Sequence, residues 1–326
     1  MNSKDITGNF ENVAVSLKNT GSISGKVSLK ADNSQTCSDD ICLKSDLINE
    51  GEIGGNVINQ KGDVLNSVVN GADSGNAAVI TGSIENSGSI VSVVNKNTGT
   101  LGGIKNDSNI SKIENSGTIS GDISNAAGAS IGSVTNSGTL AGISNEASIG
   151  KIENSGVIQG GIANNGSITT LNTGSITGSI ENSGNVGALA VTGNVGGITH
   201  TAGNIGSVTI NSGVSVASGI TNNATIGDFT NSANIAYSGS GSITGDFSNN
   251  QNSTLTLNST LNLNGKGNAF VNSGILNGVV SNVGTLARLN NTGSITTLNS
   301  GSITGLPSHG DSGIIHNIVG HGAVAV

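Results

Sequence analysis

Apolar residues recur along the chain in two alternating half-units, each of which closes with an asparagine. One half-unit follows the pattern I-x-x-I-x-N-x-G, as in residues 149–156, and the other follows I-x-G-x-I-x-N-x-G, as in residues 158–166. Corresponding first-half positions fall 18 to 21 residues apart: Ile110, Ile131, Ile149, Ile168, Val186, Ile205 and Ile226. This period is the length of one solenoid coil and is far from a heptad.

The spacing within each half-unit favours strand over helix. In the second half-unit, strict alternation would place Ile158, Gly160 and Ile162 on an inner face, with the glycine leaving room for an opposing wall. In the first half-unit, the three-residue step from Ile149 to Ile152 keeps both side chains inside only if a bend or bulge lies between them. We therefore expect one straight side and one bent side in each coil.

The Asn-x-Gly elements are expected to form the corners between these sides. Asparagine tolerates left-handed backbone and bonds to local amides, and glycine accepts positive φ without strain. Stacked side-chain amides can also bond from coil to coil. One predicted ladder contains Asn115, Asn136, Asn154 and Asn172. The other contains Asn125, Asn145, Asn164 and Asn182. A ligand site at these asparagines is the alternative interpretation.

The pattern predicts an all-β fold, a single-stranded parallel β-helix (β-solenoid) of about 15 coils. Residues 1–45 are expected to form the first coils and a cap with a cysteine-containing loop, and residues 46–306 the repeats. Residues 307–326 would be a tail, a final cap or the edge of a longer solenoid.

Residues 233–270 depart from the regular pattern. Strict alternation in this segment predicts longer strands or a wider coil. The alternating residues are Leu255, Leu257, Leu261 and Leu263.

Composition argues against an ordinary globule and against disorder. Aromatic residues make up 2% of the chain, there is one proline against 52 glycines, and most apolar residues are Ile, Val and Leu. Disordered chains lack the apolar periodicity seen here. The net charge of −8, with only 10% charged residues, does not suit a nucleic-acid binder, which needs a clustered basic face.

The two cysteines, Cys37 and Cys42, are too few for a structural zinc site. We expect a short-loop disulfide in an exported protein, with free thiols as the alternative. The first residues lack the apolar core of a signal peptide, so an export signal would have been removed before Met1. No stretch is apolar enough to span a bilayer.

Strings such as residues 113–121 (Ile-Glu-Asn-Ser-Gly-Thr-Ile-Ser-Gly) and 180–184 (Ile-Glu-Asn-Ser-Gly) resemble the passenger domains of Gram-negative type V secreted proteins. The similarity, to the autotransporter and filamentous-haemagglutinin-like groups, covers most of the chain. It implies a right-handed parallel β-helix on the cell surface, followed by a C-terminal membrane barrel that this sequence lacks. The same scaffold carries adhesins, array proteins, toxins and proteases, so the resemblance specifies architecture more than function.

Two motifs near the C-terminus invite a catalytic or metal-binding interpretation. Residues 310–313 (Gly-Asp-Ser-Gly) resemble the nucleophile motif of chymotrypsin-like proteases, but a triad also needs a histidine base, and His200 lies inside a predicted coil. His309, His316 and His321 match no common ligand spacing. We expect neither a protease nor a metal site.

Other solenoid chemistries fit the residues poorly. Calcium rolls need an aspartate in each half-coil, whereas the corners here read Asn-x-Gly. An ice-binding surface needs a regular two-column threonine array, which Thr169, Thr170 and Thr177 do not form. The glutamates that recur between coils are expected to be a solvated outer face and not an acid/base pair. They are Glu85, Glu114, Glu153 and Glu181.

The sequence therefore predicts a non-enzymatic structural surface protein: the stalk or passenger of an autotransporter-type adhesin, or a surface-array protein. The alternative is the scaffold of a secreted toxin or effector whose active module lies elsewhere. We expect no cofactor, an extracellular location, and either a host-cell or matrix surface or neighbouring copies as partner. Nucleic acid is not expected, and contact with a membrane would come only through the missing barrel.

Overall fold

The computed structural model describes residues 1–13, 16–30, 45–304, 308–309 and 313–320. The described residues are all-β with no helix, and parallel strands stack as a β-solenoid of about 14 turns, which confirms the predicted fold class. The described part contains no helix that is long and apolar enough to cross a bilayer. The chain divides into two compact units, Met1–Ile168 and Thr169–Val326.

The first unit contains twenty described strands and the start of another. They are β1 (Phe10–Val13), β2 (Leu17–Asn19), β3 (Ser22–Ile23), β4 (Val27–Lys30), β5 (Ser45–Asn49), β6 (Glu52–Ile53), β7 (Val57–Asn59), β8 (Val64–Asn70), β9 (Ala78–Asn86), β10 (Ser89–Asn95), β11 (Gly99–Asn106), β12 (Asn109–Asn115), β13 (Thr118–Ile119), β14 (Ile123–Asn125), β15 (Ser130–Asn136), β16 (Thr139–Leu140), β17 (Ile143–Asn145), β18 (Ser148–Asn154), β19 (Val157–Ile158), β20 (Ile162–Asn164) and β21 (Ser167–Thr173), within which the division falls.

The second unit contains the remaining described strands. They are β22 (Ser175–Asn182), β23 (Asn185–Val191), β24 (Val195–His200), β25 (Asn204–Ile210), β26 (Ile220–Asn222), β27 (Thr225–Asn231), β28 (Asn234–Ser238), β29 (Ser242–Ile243), β30 (Phe247–Asn249), β31 (Thr254–Leu257), β32 (Leu261–Leu263), β33 (Lys266–Asn272), β34 (Ile275–Asn282), β35 (Thr285–Asn291), β36 (Ser294–Ser300), β37 (Ser302–Ile303), β38 (Ser308–His309) and β39 (Ile314–Gly320).

Each regular coil of the first unit contains one long strand and two short ones. In the coil made by β15, β16 and β17, every strand pairs in parallel with its equivalent in the coils before and after. The register is in phase, so that Ile131 pairs with both Ile110 and Ile149. Equivalent apolar side chains therefore stack into continuous inner columns.

The long strand holds the predicted bend. Ile131 and Val134 are both buried although they are three positions apart in one strand. Gly132 between them is exposed and has no pairing partner in the adjacent strand. The three-residue step is therefore accommodated by a local break in pairing, as the first half-unit predicted.

The second half-unit is not the straight strand that alternation predicted. It breaks into β19 and β20, and Gly160 between them is exposed, where the sequence placed it inside. The Gly160 N–H donates to the Ala141 carbonyl of the preceding coil at 2.6 Å. A Cβ on Gly160 would lie 2.7 Å from that oxygen, so the glycine is required by the neighbouring coil and not by an opposing wall.

Coil length varies more than the predicted 18 to 21 residues. Stacked corner asparagines are 30 residues apart between Asn19 and Asn49 and 25 apart between Asn70 and Asn95, but 18 apart between Asn136 and Asn154. Between Asn70 and Asn95, the extra residues include the seven-residue connection from β8 to β9. The stacking also begins early, since β1 already pairs with β4 inside residues 1–45.

At the other end, the coils continue beyond residue 306, where the repeats were predicted to stop. Strand β39 pairs with β36, and Ile315 and Ile318 repeat the three-residue step of Ile295 and Leu298. The segment predicted to be less regular is also made of short strands, since β31 and β32 have four and three residues. Of the two expectations for this segment, that of longer strands is wrong, because residues 258–260 turn the chain between β31 and β32. The coil is wider, since 23 residues separate the stacked Asn249 and Asn272 in the sequence.

The core of the second unit contains most of the few aromatic residues. The rings of Phe229 and Phe247 stack with centroids 5.7 Å apart, and those of Phe247 and Phe270 stack at 5.1 Å. Tyr237 meets Phe229 edge-on at 6.0 Å. Because identical core positions repeat from coil to coil, one aromatic residue favours another in the next coil.

Glycine at the Ser-Gly corners has a steric cause. A Cβ on Gly117, Gly138 or Gly156 would lie within 3.0 Å of a carbonyl oxygen in the preceding coil, and for Gly138 that oxygen belongs to Gly117. None of the three has positive φ. The corner glycines are therefore needed for the close approach of successive coils and not for left-handed backbone.

We expect the substitution Gly138→Ala to lower the free energy of unfolding by about 1–3 kcal/mol, because the added methyl group forces neighbouring backbone apart. The urea midpoint followed by far-ultraviolet circular dichroism measures this. The matched control is Gly128→Asn: Gly128 has φ +82° with no atom near its Cβ position, and asparagine accepts that conformation. An unchanged midpoint for Gly138→Ala would show that the corner does not require glycine.

Candidate functional site

One corner of the first unit holds a continuous column of buried side-chain amides. Each asparagine donates its Nδ2–H to the Oδ1 of the next, over distances of 2.7 to 2.9 Å. The members, in order, are Asn2, Asn19, Asn49, Asn70, Asn95, Asn115, Asn136 and Asn154. We call this column the first ladder; it holds Asn115, Asn136 and Asn154 of the predicted set.

The same amides also bind backbone. Asn115 Nδ2 lies 2.7 Å from Asn136 Oδ1 and 2.9 Å from the Thr139 carbonyl, where the next coil starts its short strand. Asn136 repeats this arrangement with Asn154 Oδ1 and the Val157 carbonyl. Each amide thus joins two coils through a side chain and a main chain, in a position where it is almost fully buried.

The opposite corner of the first unit holds a second ladder with the same geometry. Its Nδ2–Oδ1 distances are 2.7 or 2.8 Å. Its members are Asn59, Asn86, Asn106, Asn125, Asn145 and Asn164. Asn125, Asn145 and Asn164 were predicted; the earlier members stand before longer turns that hide the Asn-x-Gly signature.

In the second unit, Asn172 is not a ladder residue. It is only half-buried, whereas Thr173 beside it is fully buried. Counting from Ile168, the inner positions of β21 are Leu171 and Thr173, so Asn172 points outward and its assignment was wrong. The corresponding positions of the next two long strands are Val191 and Ile210, both buried. Amide pairing then resumes through Asn231, Asn249, Asn272 and Asn291 at 2.7 to 2.9 Å.

Asn182, also predicted, binds a histidine. Its Nδ2 lies 3.0 Å from His200 Nδ1, and His200 Nε2 lies 2.9 Å from the Thr225 carbonyl. A carbonyl only accepts, so Nε2 carries the proton and Nδ1 accepts from the amide. His200, fully buried, therefore replaces an asparagine. In the following coil, Asn222 Nδ2 donates to the Tyr237 hydroxyl at 3.0 Å.

The candidate catalytic and metal-binding residues do not converge within the described part of the chain. Three of the four recurring glutamates pair with lysines on the outer face: Glu85 with Lys105, Glu114 with Lys112 and Glu153 with Lys151. Glu181 is exposed. No group of three His, Cys, Asp or Glu side chains among the described residues could hold a metal ion.

Several predicted features lie outside the described residues. These are both cysteines, residues 310–312 of the Gly-Asp-Ser-Gly motif and His321. His316 is exposed, and its Nε2 lies 3.3 Å from the Ser294 hydroxyl.

Two surface grooves complete the candidate features, one in each unit. Each lies where a four-residue turn replaces the two-residue Ser-Gly corner. The groove in the first unit has a volume of about 320 Å³ and is lined in part by Lys61 and Asp63. The groove in the second unit has a volume of about 420 Å³ and is lined in part by Gln251, Asn252 and Ile275. Alternating patterns along one strand could not reveal either groove, because each forms across several coils.

We expect Asn115→Ala to lower the free energy of unfolding by about 2–3 kcal/mol, because it leaves the buried acceptor of Asn136 and a donor of Asn95 without their amide partner. The urea midpoint measures the loss. The control, Asn109→Ala, removes an exposed amide from the same strand and is expected to cost less than about 0.5 kcal/mol. Equal losses for the two variants would contradict a stabilising role for the ladder.

Burial raises the pKa of Tyr237 above its ordinary value of 10.0, and the Asn222 hydrogen bond opposes this only in part. We therefore expect the Tyr237 hydroxyl to ionise at a higher pH in the folded protein than in the urea-unfolded chain. A near-ultraviolet absorbance titration of both states measures this. Stability from the neutral phenol is complete below pH 10.0 and is lost as pH rises through the folded-state pKa. Tyr237 is the only tyrosine, so Tyr237→Phe supplies the blank. Coincident titrations would contradict burial of the hydroxyl.

Comparisons of the chain with known protein families, with curated proteins and with solved structures found no match. The functional argument therefore depends on the geometry of this chain and on the sequence pattern.

Proposed function

We propose that this chain is a non-enzymatic structural protein of the bacterial surface, the stalk or passenger portion of an autotransporter-type adhesin or surface array. The observation that carries the proposal is that the coil interior is used for stacking. The inner positions are filled mostly by aliphatic side chains, with the stacked aromatic ones in the second unit, and the corner amides bind one another and the backbone of adjacent coils. An interior used in this way stabilises a scaffold and leaves binding to the outer face.

The outer face supports the same function. Residues that alternate with the inner columns of the first unit are mostly Ser, Thr and small residues, with scattered lysine–glutamate pairs such as Lys151 and Glu153 at 2.6 Å. Such exposed pairs contribute little stability but keep an all-β surface soluble. A surface of this kind suits a protein that is displayed outside the cell better than it suits an enzyme, which needs its catalytic residues close together.

The repeated architecture is also suited to export as an unfolded chain. Each coil contacts its neighbours in the sequence, as β15 does with β12 and β18. Folding can therefore proceed from coil to coil as the chain emerges, because no coil needs contacts with segments that are distant in the sequence. The resemblance of the Asn-Ser-Gly strings to type V passengers supports the same route.

Surface exposure on the producing cell is the test. Antibodies raised against the folded chain should label intact cells, and protease added outside should remove the label while a cytoplasmic marker survives. Negative-stain images of the same cells separate the two forms of the proposal, since an ordered lattice indicates an array and scattered fibres indicate an adhesin. Labelling that requires permeabilised cells would overturn the proposal.

A further inference from the structure

The groove of the second unit is framed by a turn that extends beyond its corner. After Asn249 the chain makes a four-residue turn, closed by a hydrogen bond from Ser253 N–H to the Asn250 carbonyl at 3.2 Å. The Ser253 hydroxyl fixes the base of the turn through Asn249 Oδ1 at 2.8 Å and the Asn250 carbonyl at 2.6 Å. Residues 251 and 252 therefore project as a rigid wall beside the Gly274 and Gly293 corners of the following coils.

The tip of this wall has an unusual backbone. Asn252, with φ 65°, is the only non-glycine residue with positive φ in the described part of the chain. Equivalent turns in the first unit place glycine there, as Gly62 and Gly128 show. Asparagine accepts this left-handed conformation at little cost, so the turn carries a polar side chain here where the equivalent turns carry none. Asn252 is exposed, and its side-chain amide lines the groove.

The opposite rim is apolar and exposed. Ile275 and Ile314 are 49% and 53% exposed, and the register places them on either side of Ser294 in successive coils. Elsewhere in this unit Val283 is the other large apolar side chain that is strongly exposed among the described residues. Two exposed isoleucines that line the same concave surface indicate a contact site.

The chemistry of the lining limits the ligand. Among the described residues, the groove is lined by amides, hydroxyls, glycine and isoleucine, and none of these lining residues carries a charge. The side chains of Gln251 and Asn252 form no hydrogen bond within the described structure, and both residues are exposed and line the groove, so their donors and acceptors are open to a ligand. A charged ligand would lose hydration here without gaining an ionic partner.

The groove floor cannot pair with an extended peptide. The N–H groups of Ile275, Ser294 and Ile314 donate to carbonyls of the preceding coil at 2.8 to 2.9 Å. Addition of a peptide strand needs an unpaired strand edge, and β34 and β36 have parallel partners on both sides, whereas β39, the last described strand, pairs with β36 alone among the described strands. Recognition is left to the side-chain amides and the isoleucine faces.

We propose that this groove binds a short neutral oligosaccharide. Amide donors and acceptors on one wall match sugar hydroxyls, and the isoleucine rim packs against the aliphatic C–H face of a pyranose ring. The groove of the first unit has the same turn geometry, but its described lining contains Lys61 and Asp63 and no exposed isoleucine. It therefore lacks both the uncharged amide wall and the isoleucine rim. The inference does not depend on where the protein is located.

Saturation-transfer difference NMR on the full chain tests this with three probes. Lacto-N-tetraose is a neutral chain of the animal-glycan type, N,N′-diacetylchitobiose is a neutral unit of cell-wall polymers, and an uncharged pentapeptide tests the competing class of ligand. We expect binding of one or both saccharides, and binding of one alone identifies the source of the ligand. The double variant Gln251→Ala/Asn252→Gly, which retains positive φ at the tip, should weaken binding by about tenfold.

Ile275→Ser should weaken binding of the same saccharide to a similar extent. The control is Val283→Ser, which changes an apolar residue that is more exposed (66% against 49%) but lies outside the groove, and it should leave binding unchanged. Tyr237 fluorescence and circular dichroism verify that each variant is folded. Lack of binding by both saccharides, binding that survives the groove variants, or binding of the pentapeptide in their place would overturn the proposal.

Discussion

The interaction on which each unit depends is a buried amide that accepts from the preceding coil and donates to the next. A single coil buries little apolar surface, so its stability comes from its neighbours. Backbone hydrogen bonds hold the walls together and extend into the corners, where the N–H groups of Ser137 and Gly138 donate to the Asn115 carbonyl. In the first unit, Asn115, Asn136 and their equivalents continue hydrogen bonding through those corners. They also fix the register, because a shift of one residue would move each amide to solvent and an outward side chain to the core.

Substitutions in the ladders of the second unit show which groups the corner accepts. His200 keeps the arrangement, since Nδ1 accepts from Asn182 and Nε2 donates to the Thr225 carbonyl. The Tyr237 hydroxyl likewise accepts from Asn222. At Val191 and Ile210 the same positions hold apolar side chains that stack on each other, so no polar side-chain group there needs a partner. Full pairing and full absence of polar atoms are both stable in a buried column, and partial pairing is costly.

The sequence was sufficient for the fold class because an in-phase stack repeats its own spacing. The isoleucine step and the Asn-Ser-Gly strings predict the coils, the inner columns and six of the fourteen ladder asparagines in the first unit. Asn172 was assigned wrongly because Asn and Thr are neighbours there, and only a count from Ile168 places Thr173 inside. His200 has no asparagine signature, and Ile315 with Ile318 is a repeat that the C-terminal tail obscures. The groove at Asn252 depends on the backbone of three coils, which no single repeat reveals.

The amides of the first ladder all have the same sense, from Asn2 Nδ2–H to Asn19 Oδ1 and onward to Asn154. Their dipoles therefore add along the stack, and each bond polarises the next. A coil that joins the high-numbered end meets an N–H already made more acidic by the amides behind it. The column thus has a direction: its high-numbered end presents a strengthened donor to the next coil, and its low-numbered end presents a strengthened acceptor.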